Sequence, residues 1–303
     1  MKDEDAVVNW MEQSVTEWRV LWKAETLLGE SPLWVEDSGH LLFVDIKRPG
    51  ILSWHPDGPT ARYPLPAEVG CIVRRRRGGL LAVLRTGLAA VSLDPYALEM
   101  LCSIETDLPG NRPNDGKCDA QGRLWVATMD DAEQSASGAV WRVESNLTMA
   151  RTAGGHVVGN GFGWSPDGTT MYFTDSAART IFAYPFDQAT GTLGERRVFA
   201  RIPADAGFPD GLTVDRNGFI WSAHWDGARV TRYRADGQIE RVVGMPVPRP
   251  TSVAFGGSDL SRLFVTSASV GLSPEEMSRA PLSGSLFEID APVGGLPEPR
   301  FAG

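Results

Sequence analysis

Arg112-Pro113-Asn114-Asp115-Gly116-Lys117-Cys118-Asp119-Ala120-Gln121-Gly122-Arg123-Leu124-Trp125 holds a rigid polar corner, a short strand, a turn and the start of a second strand. Pro113 fixes its own φ and pushes Arg112 towards an extended backbone. Asn114-Asp115-Gly116 and Asp119-Ala120-Gln121-Gly122 carry turn chemistry. Leu124-Trp125-Val126 then reads as a buried strand.

The phrase repeats with variations. Short apolar runs follow turns at Leu41–Val44, Leu80–Leu84, Leu124–Ala127, Met171–Thr174, Phe219–Ala223 and Leu263–Thr266. The turn positions before them are Gly39, Gly79, Gly122, Gly168, Gly218 and Leu260. They are 40, 43, 46, 50 and 42 residues apart. A repeat of that length built from several short strands is the signature of a β-propeller. Six repeats give six blades, so the expectation is an all-β, six-bladed β-propeller over residues 18–303. A β-sandwich leaves the regular spacing unexplained. The strand around Trp18 to Ala24 either opens the first blade or completes the last and closes the ring, which removes exposed strand edges. Residues 1–17 read as a lead segment with a short amphipathic helix, since Val7, Met11 and Val15 recur every four residues.

The bulk numbers restrict function. A net charge of −9 argues against nucleic acid and anionic membrane as partners. The basic run Arg74–Arg77 precedes Gly78-Gly79 and reads as a solvated turn flank. Cys71, Cys102 and Cys118 are odd in number and widely spaced, which suits free thiols in a reducing compartment. There is no apolar run of membrane-spanning length, and the acidic start Met1-Lys2-Asp3-Glu4-Asp5 is no secretory signal. A cytoplasmic protein, monomeric or a weak homo-oligomer, is expected.

Counting back eight residues from the turns is the step that reaches chemistry. It gives Asn114, Asn160 and Asp210 before Gly122, Gly168 and Gly218. Counted to Ser38, it gives Glu30; Cys71 and Ser252 hold the offset in the remaining repeats. Equivalent positions of a propeller meet around its axis, so four oxygen-bearing side chains converge on one mouth. Taken singly, Asn160-Gly161 and Asp210-Gly211 are ordinary turn formers; taken jointly they suggest a shared site. Clustered carboxylates and amides without a cation call for a hard divalent ion such as Ca²⁺, Mg²⁺ or Mn²⁺. Only four histidines are present, and none is spaced as in a zinc hydrolase.

At these residues the chain resembles the senescence marker protein/gluconolactonase family. The matching phrases run in order from Leu28-Gly29-Glu30-Ser31-Pro32-Leu33-Trp34 through Arg112-Pro113-Asn114-Asp115-Gly116-Lys117, Asn160-Gly161, Tyr172–Ser176 and Pro209-Asp210-Gly211-Leu212 to Pro250-Thr251-Ser252. The resemblance implies a six-bladed propeller with one divalent metal ion (Ca, Zn, Mn or Mg) at the channel mouth. It implies Glu30, Asn160 and Asp210 as metal ligands and Arg112 and Asn114 as substrate contacts. It also implies an acidic substrate contact after Thr128-Met129, where Asp130, Asp131 and Glu133 compete and Asp131 is the choice. The implied reaction is hydrolysis of a sugar aldonolactone, with Asp210 orienting or deprotonating water; His156 and His224 are alternative bases. Other readings are a calcium-binding regulatory protein without turnover, a protein-binding propeller, and a metal-bearing hydrolase of other esters or phosphotriesters.

Overall fold

The computed structural model describes residues 18–303; the helix read within residues 1–17 lies outside them. Six antiparallel sheets of four strands, spanning 29–64, 69–102, 111–156, 159–201, 208–244 and 250–290, form the blades of a β-propeller. The fourth carries an extra short strand, Thr192–Leu193. The outermost strand of the last blade is Trp18–Trp22, paired with Leu286–Asp290. Of the two positions left open for this strand, it takes the one that closes the ring.

The innermost strands are Gly29–Val35, Val69–Arg74, Asn111–Cys118, Gly159–Trp164, Phe208–Val214 and Pro250–Gly256. They are almost wholly buried because both faces pack on neighbouring blades, whereas the outer strand Tyr96–Cys102 is largely exposed. The apolar runs in the sequence are the second strands, sandwiched between these layers. Between the blades lie Phe43, Trp221 and Phe264 on one side of the ring and Trp125, Phe162 and Phe173 on another.

The turn series explains itself at the backbone. Gly39, Gly79, Gly122, Gly168 and Gly218 have φ between +66° and +86°, and Leu260 takes +59° in the same slot. Glycine enters this region without the steric penalty of a side chain. In two blades an aspartate three residues before the glycine ties the turn to the strand behind it. Asp119 accepts from Trp125 Nε1 (2.9 Å) and Arg123 Nε (2.6 Å). Asp215 accepts from Trp221 Nε1 (3.2 Å) and Arg232 Nη2 (2.6 Å). Both carboxylates are fully buried.

On this turn face the segment 294–303 crosses the ring. Phe301 is buried, donates its N–H to Arg74 O (2.7 Å) and accepts from Arg76 N (2.8 Å). Lys117 pairs with Glu298 at 3.1 Å beside a cavity of about 190 Å³. The Arg74–Arg77 run is therefore more than a solvated flank. Arg74 is buried and pairs with Asp37, while Arg75 donates to Gly303 O at 3.2 Å. Arg76 and Arg77 are exposed as expected. Among the described residues no helix is long and apolar enough to cross a membrane.

Candidate functional site

Every innermost strand carries a β-bulge near its start. Glu30 pairs with Val44 but Leu33 with Leu42; Pro113 pairs with Thr128 but Asp115 with Ala127. In each of the six, the inner strand uses one residue more than its partner. A bulge bends the strand and re-aims a side chain. The bulges lie at the counted offset, and there Glu30, Asn114, Asn160 and Asp210 reach one cavity of about 310 Å³ on the mouth opposite the turn face. Asp210 needs Gly211 behind it, because a Cβ there would sit 2.1 Å from Ser252 Oγ.

Arg112, Glu133 and Ser176 complete the polar lining, and Ile46, Met129, Phe208 and Trp225 supply apolar wall. Arg112 Nε donates to Asp131 Oδ1 (2.8 Å), and its Nη1 donates to Asn114 Oδ1 (2.6 Å) and Pro113 O (3.3 Å). Asn114 Nδ2 donates to Asn160 Oδ1 (3.1 Å) and Gly159 O (3.0 Å). Asn160 Nδ2 donates to Ser176 Oγ (3.0 Å), which donates to Pro209 O (2.7 Å).

Asp131 does not line the cavity. Its two oxygens are engaged by Arg112 and by Arg85 Nη1 (2.8 Å), and Arg85 in turn pairs with Glu68. Glu133 is the carboxylate from this loop that faces inward. His156 and His224 are also away from the cavity. His156 Nε2 contacts Thr128 O at 3.0 Å, and His224 Nδ1 contacts Ala206 O at 2.7 Å, its ring stacked on Tyr233. Burial lowers both imidazoles to about 4, against the pull of those carbonyls.

The acids of the cavity are electrostatically frustrated. Burial, then Asp210 and Asp115, hold the Glu30 carboxyl well above the usual range, against the Ser31 N–H and Arg112. Burial and Asp115 push Asp210 up, against the Gly211 N–H. Asp115, deeper in the channel, is raised to about 6, chiefly by burial. Arg112 is the only cationic side chain lining the cavity among the described residues. Glu30 Oε2 accepts from Ser31 N (2.9 Å), and no hydrogen bond to Oε1 occurs among the described residues. Two buried, like-charged carboxylates and an amide oxygen, short of a positive partner, fit a hard divalent cation. Among the described residues no three His, Cys, Asp or Glu side chains gather as a metal cluster; beside Glu30 and Asp210 the cavity offers the side-chain amides of Asn114 and Asn160.

Residues 28–269 match the SMP-30/Gluconolactonase/LRE-like region model. The chain belongs to that family. Regucalcin of Oryctolagus cuniculus is 34% identical over 285 residues, covering 91% of this chain and 95% of its own. A 6-deoxy-6-sulfogluconolactonase of Pseudomonas putida is 36% identical over 281 residues, covering 92% and 96%. The crystal structure of a calcium-binding regucalcin from Agrobacterium tumefaciens superposes with a TM-score of 0.91 at 31% identity, over 94% of this chain and 97% of that one.

The site also contains residues to which the sequence reading gave no role. Ser176 sits one residue beyond the strand Thr170–Asp175. Trp225 follows His224, and the two-residue period of a strand sends them to opposite faces. Phe208 opens the inner strand of the fifth blade.

Proposed function

We propose that this chain is a divalent-cation-dependent lactonase that opens a sugar aldonolactone to its acid. The observation that carries this is the pairing of frustrated acids, Glu30 and Asp210, with a forked donor, Arg112, in one cavity of about 310 Å³. The lactonases among its relatives support the same reading.

Glu30, Asn160 and Asp210 would hold the cation. When bound, it supplies Lewis-acid polarisation of a carbonyl oxygen and activates water. The rest falls to the protein. Arg112 has no acceptor for Nη2 among the described residues, so that group is available to a ring hydroxyl or to the oxygen that gains charge. Asp131 keeps the guanidinium from swinging away. Asn114 sets the lateral position of the ring, Glu133 accepts from a sugar hydroxyl, and Phe208 and Trp225 cover its apolar edge.

Asp210 takes a proton from the attacking water, whose oxygen bonds to the acyl carbon. The acyl–oxygen bond of the ring then breaks, and the ring oxygen leaves as the new hydroxyl with the proton that Asp210 took up. Epimers would be separated by hydrogen bonds left unmade at Arg112, Asn114 and Glu133.

The test is a panel of aldonolactones at neutral pH, followed as acid release. EDTA-stripped protein should be inactive, and Mn²⁺, Zn²⁺, Ca²⁺ or Mg²⁺ should restore it. Full activity in Asp210→Ala sinks the assignment. Calcium binding with no turnover on any lactone would favour the regulatory alternative, for which the same oxygen donors suffice.

A further inference from the structure

Four side chains from the third and fourth blades form a hydrogen-bond chain that runs in one direction only. Arg112 can only donate. It donates to Asn114 Oδ1 at 2.6 Å, which leaves Asn114 Nδ2 to face Gly159 O (3.0 Å) and Asn160 Oδ1 (3.1 Å). Asn160 Nδ2 then faces Ser176 Oγ at 3.0 Å. Ser176 places its proton on Pro209 O at 2.7 Å, and a carbonyl can only accept. With a pure donor at one end and a pure acceptor at the other, every group between them has its polarity fixed.

This matters because an asparagine side chain is nearly symmetrical in shape but opposite in sign at its two ends. Turned over, Asn160 would set Nδ2 against Asn114 Nδ2 and Oδ1 against a hydroxyl oxygen whose proton is committed elsewhere. All of these residues are less than a tenth exposed, so water does not easily repair the mismatch. Only the observed orientation keeps the amide oxygen, with its second lone pair, on the Asn114 side of the cavity that Glu30 and Asp210 also line.

We propose that Ser176 is a positioning residue for the cation site, fixing which end of Asn160 is presented to the cation. This rests on the reading of Asn160 as a cation ligand. Groups that orient a ligand in this way typically change metal affinity by about 10- to 100-fold when removed. Ser176→Ala should weaken binding of Mn²⁺, measured by titration calorimetry on EDTA-stripped full-length protein, by at least about 10-fold. Ser176→Thr keeps the hydroxyl and should retain most of the affinity. Ser176→Cys, close in size but a weak donor and acceptor, should behave like Ser176→Ala and guards against an effect of lost volume. The decisive variant is Asn160→Asp. A carboxylate offers oxygen at either end, so orientation ceases to matter. Adding Ser176→Ala to Asn160→Asp should cost less than about 3-fold, against about 10-fold or more when Asn160 is intact.

Wild-type affinity in both Ser176→Ala and Ser176→Cys overturns the proposal. So does an equal loss from Ser176→Ala whether or not Asn160→Asp is present, which would mark a general structural role. Absence of Mn²⁺ binding by the wild type overturns the cation site itself, and the proposal with it.

Discussion

Replacing Glu30 by Gln separates the electrostatics of the site from its packing. The shape is kept, and one formal charge leaves a group of buried acids. In the cation-free protein the Glu30 carboxyl is raised by burial and by Asp210 and Asp115. An acid raised in the folded state subtracts stability as pH rises from its unfolded range towards its folded value. Glutamine has no such term, so cation-free Glu30→Gln should melt at or above the wild type at pH 8. The response to cation should be the reverse. At 100 times the dissociation constant, binding stabilises the wild type by about 2.7 kcal/mol. With an unfolding entropy of roughly 2.1 cal/mol/K per residue over 303 residues, that corresponds to a rise of about 4 °C in Tm. Glu30→Gln should lose most of this rise. Scanning calorimetry with EDTA and with excess Mn²⁺ reads both effects. A Glu30→Gln protein with the full wild-type rise would refute the assignment of Glu30 as a ligand.

Other variants probe the substrate arm, the core and the turn face. Arg112→Lys keeps the charge but loses the fork shared between Asp131 and Asn114, and kcat/KM on the best lactone should fall by roughly 10- to 100-fold. His156 and His224 are held at about 4 rather than near 6.5. Their contribution is therefore intact above pH 6.5 and lost as pH falls towards 4, by roughly 3 kcal/mol each at the limit. Replacing either by Gln should flatten the acid limb of a stability–pH profile from denaturant melts. Phe301→Ala, with its ring buried between the second and third blades, should cost about 3–5 kcal/mol in urea unfolding.

Spacing carried most of the architecture. The turns at Gly39 to Gly218 recur because the backbone needs positive φ there, and glycine marks that need in the letters themselves. Leu260 fills the same slot without a glycine, so only its position in the series revealed it. The offset of eight worked because it lands on the bulge of each inner strand, which turns Glu30, Asn114, Asn160 and Asp210 inward. Loop direction was not legible. In the loop after Asp130, the Asp130 carboxylate binds the N–H groups of Gln134 and Ser135, and Glu133 takes φ +57°. That local turn brings Glu133 inward and leaves Asp131 to Arg112. Neither conformation is written in Asp130-Asp131-Ala132-Glu133. His224 drew notice as a titratable residue at a strand end, yet strand alternation gave the cavity to Trp225. Ser176 was hidden because its role depends on a donor three links away.

The clasp between Trp18–Trp22 and Leu286–Asp290 sets a constraint on synthesis. Arg19 bonds Glu288 across a separation of 269 residues. During translation, five blades can be assembled while the sixth still lacks its partner strand, and Trp18–Trp22, made before them, must wait for Leu286–Asp290. Until then the nascent ring keeps two bare sheet margins, each able to recruit a foreign strand. A ribosome stalled short of Leu286 would therefore release an open, adhesive arc rather than a slightly weakened propeller.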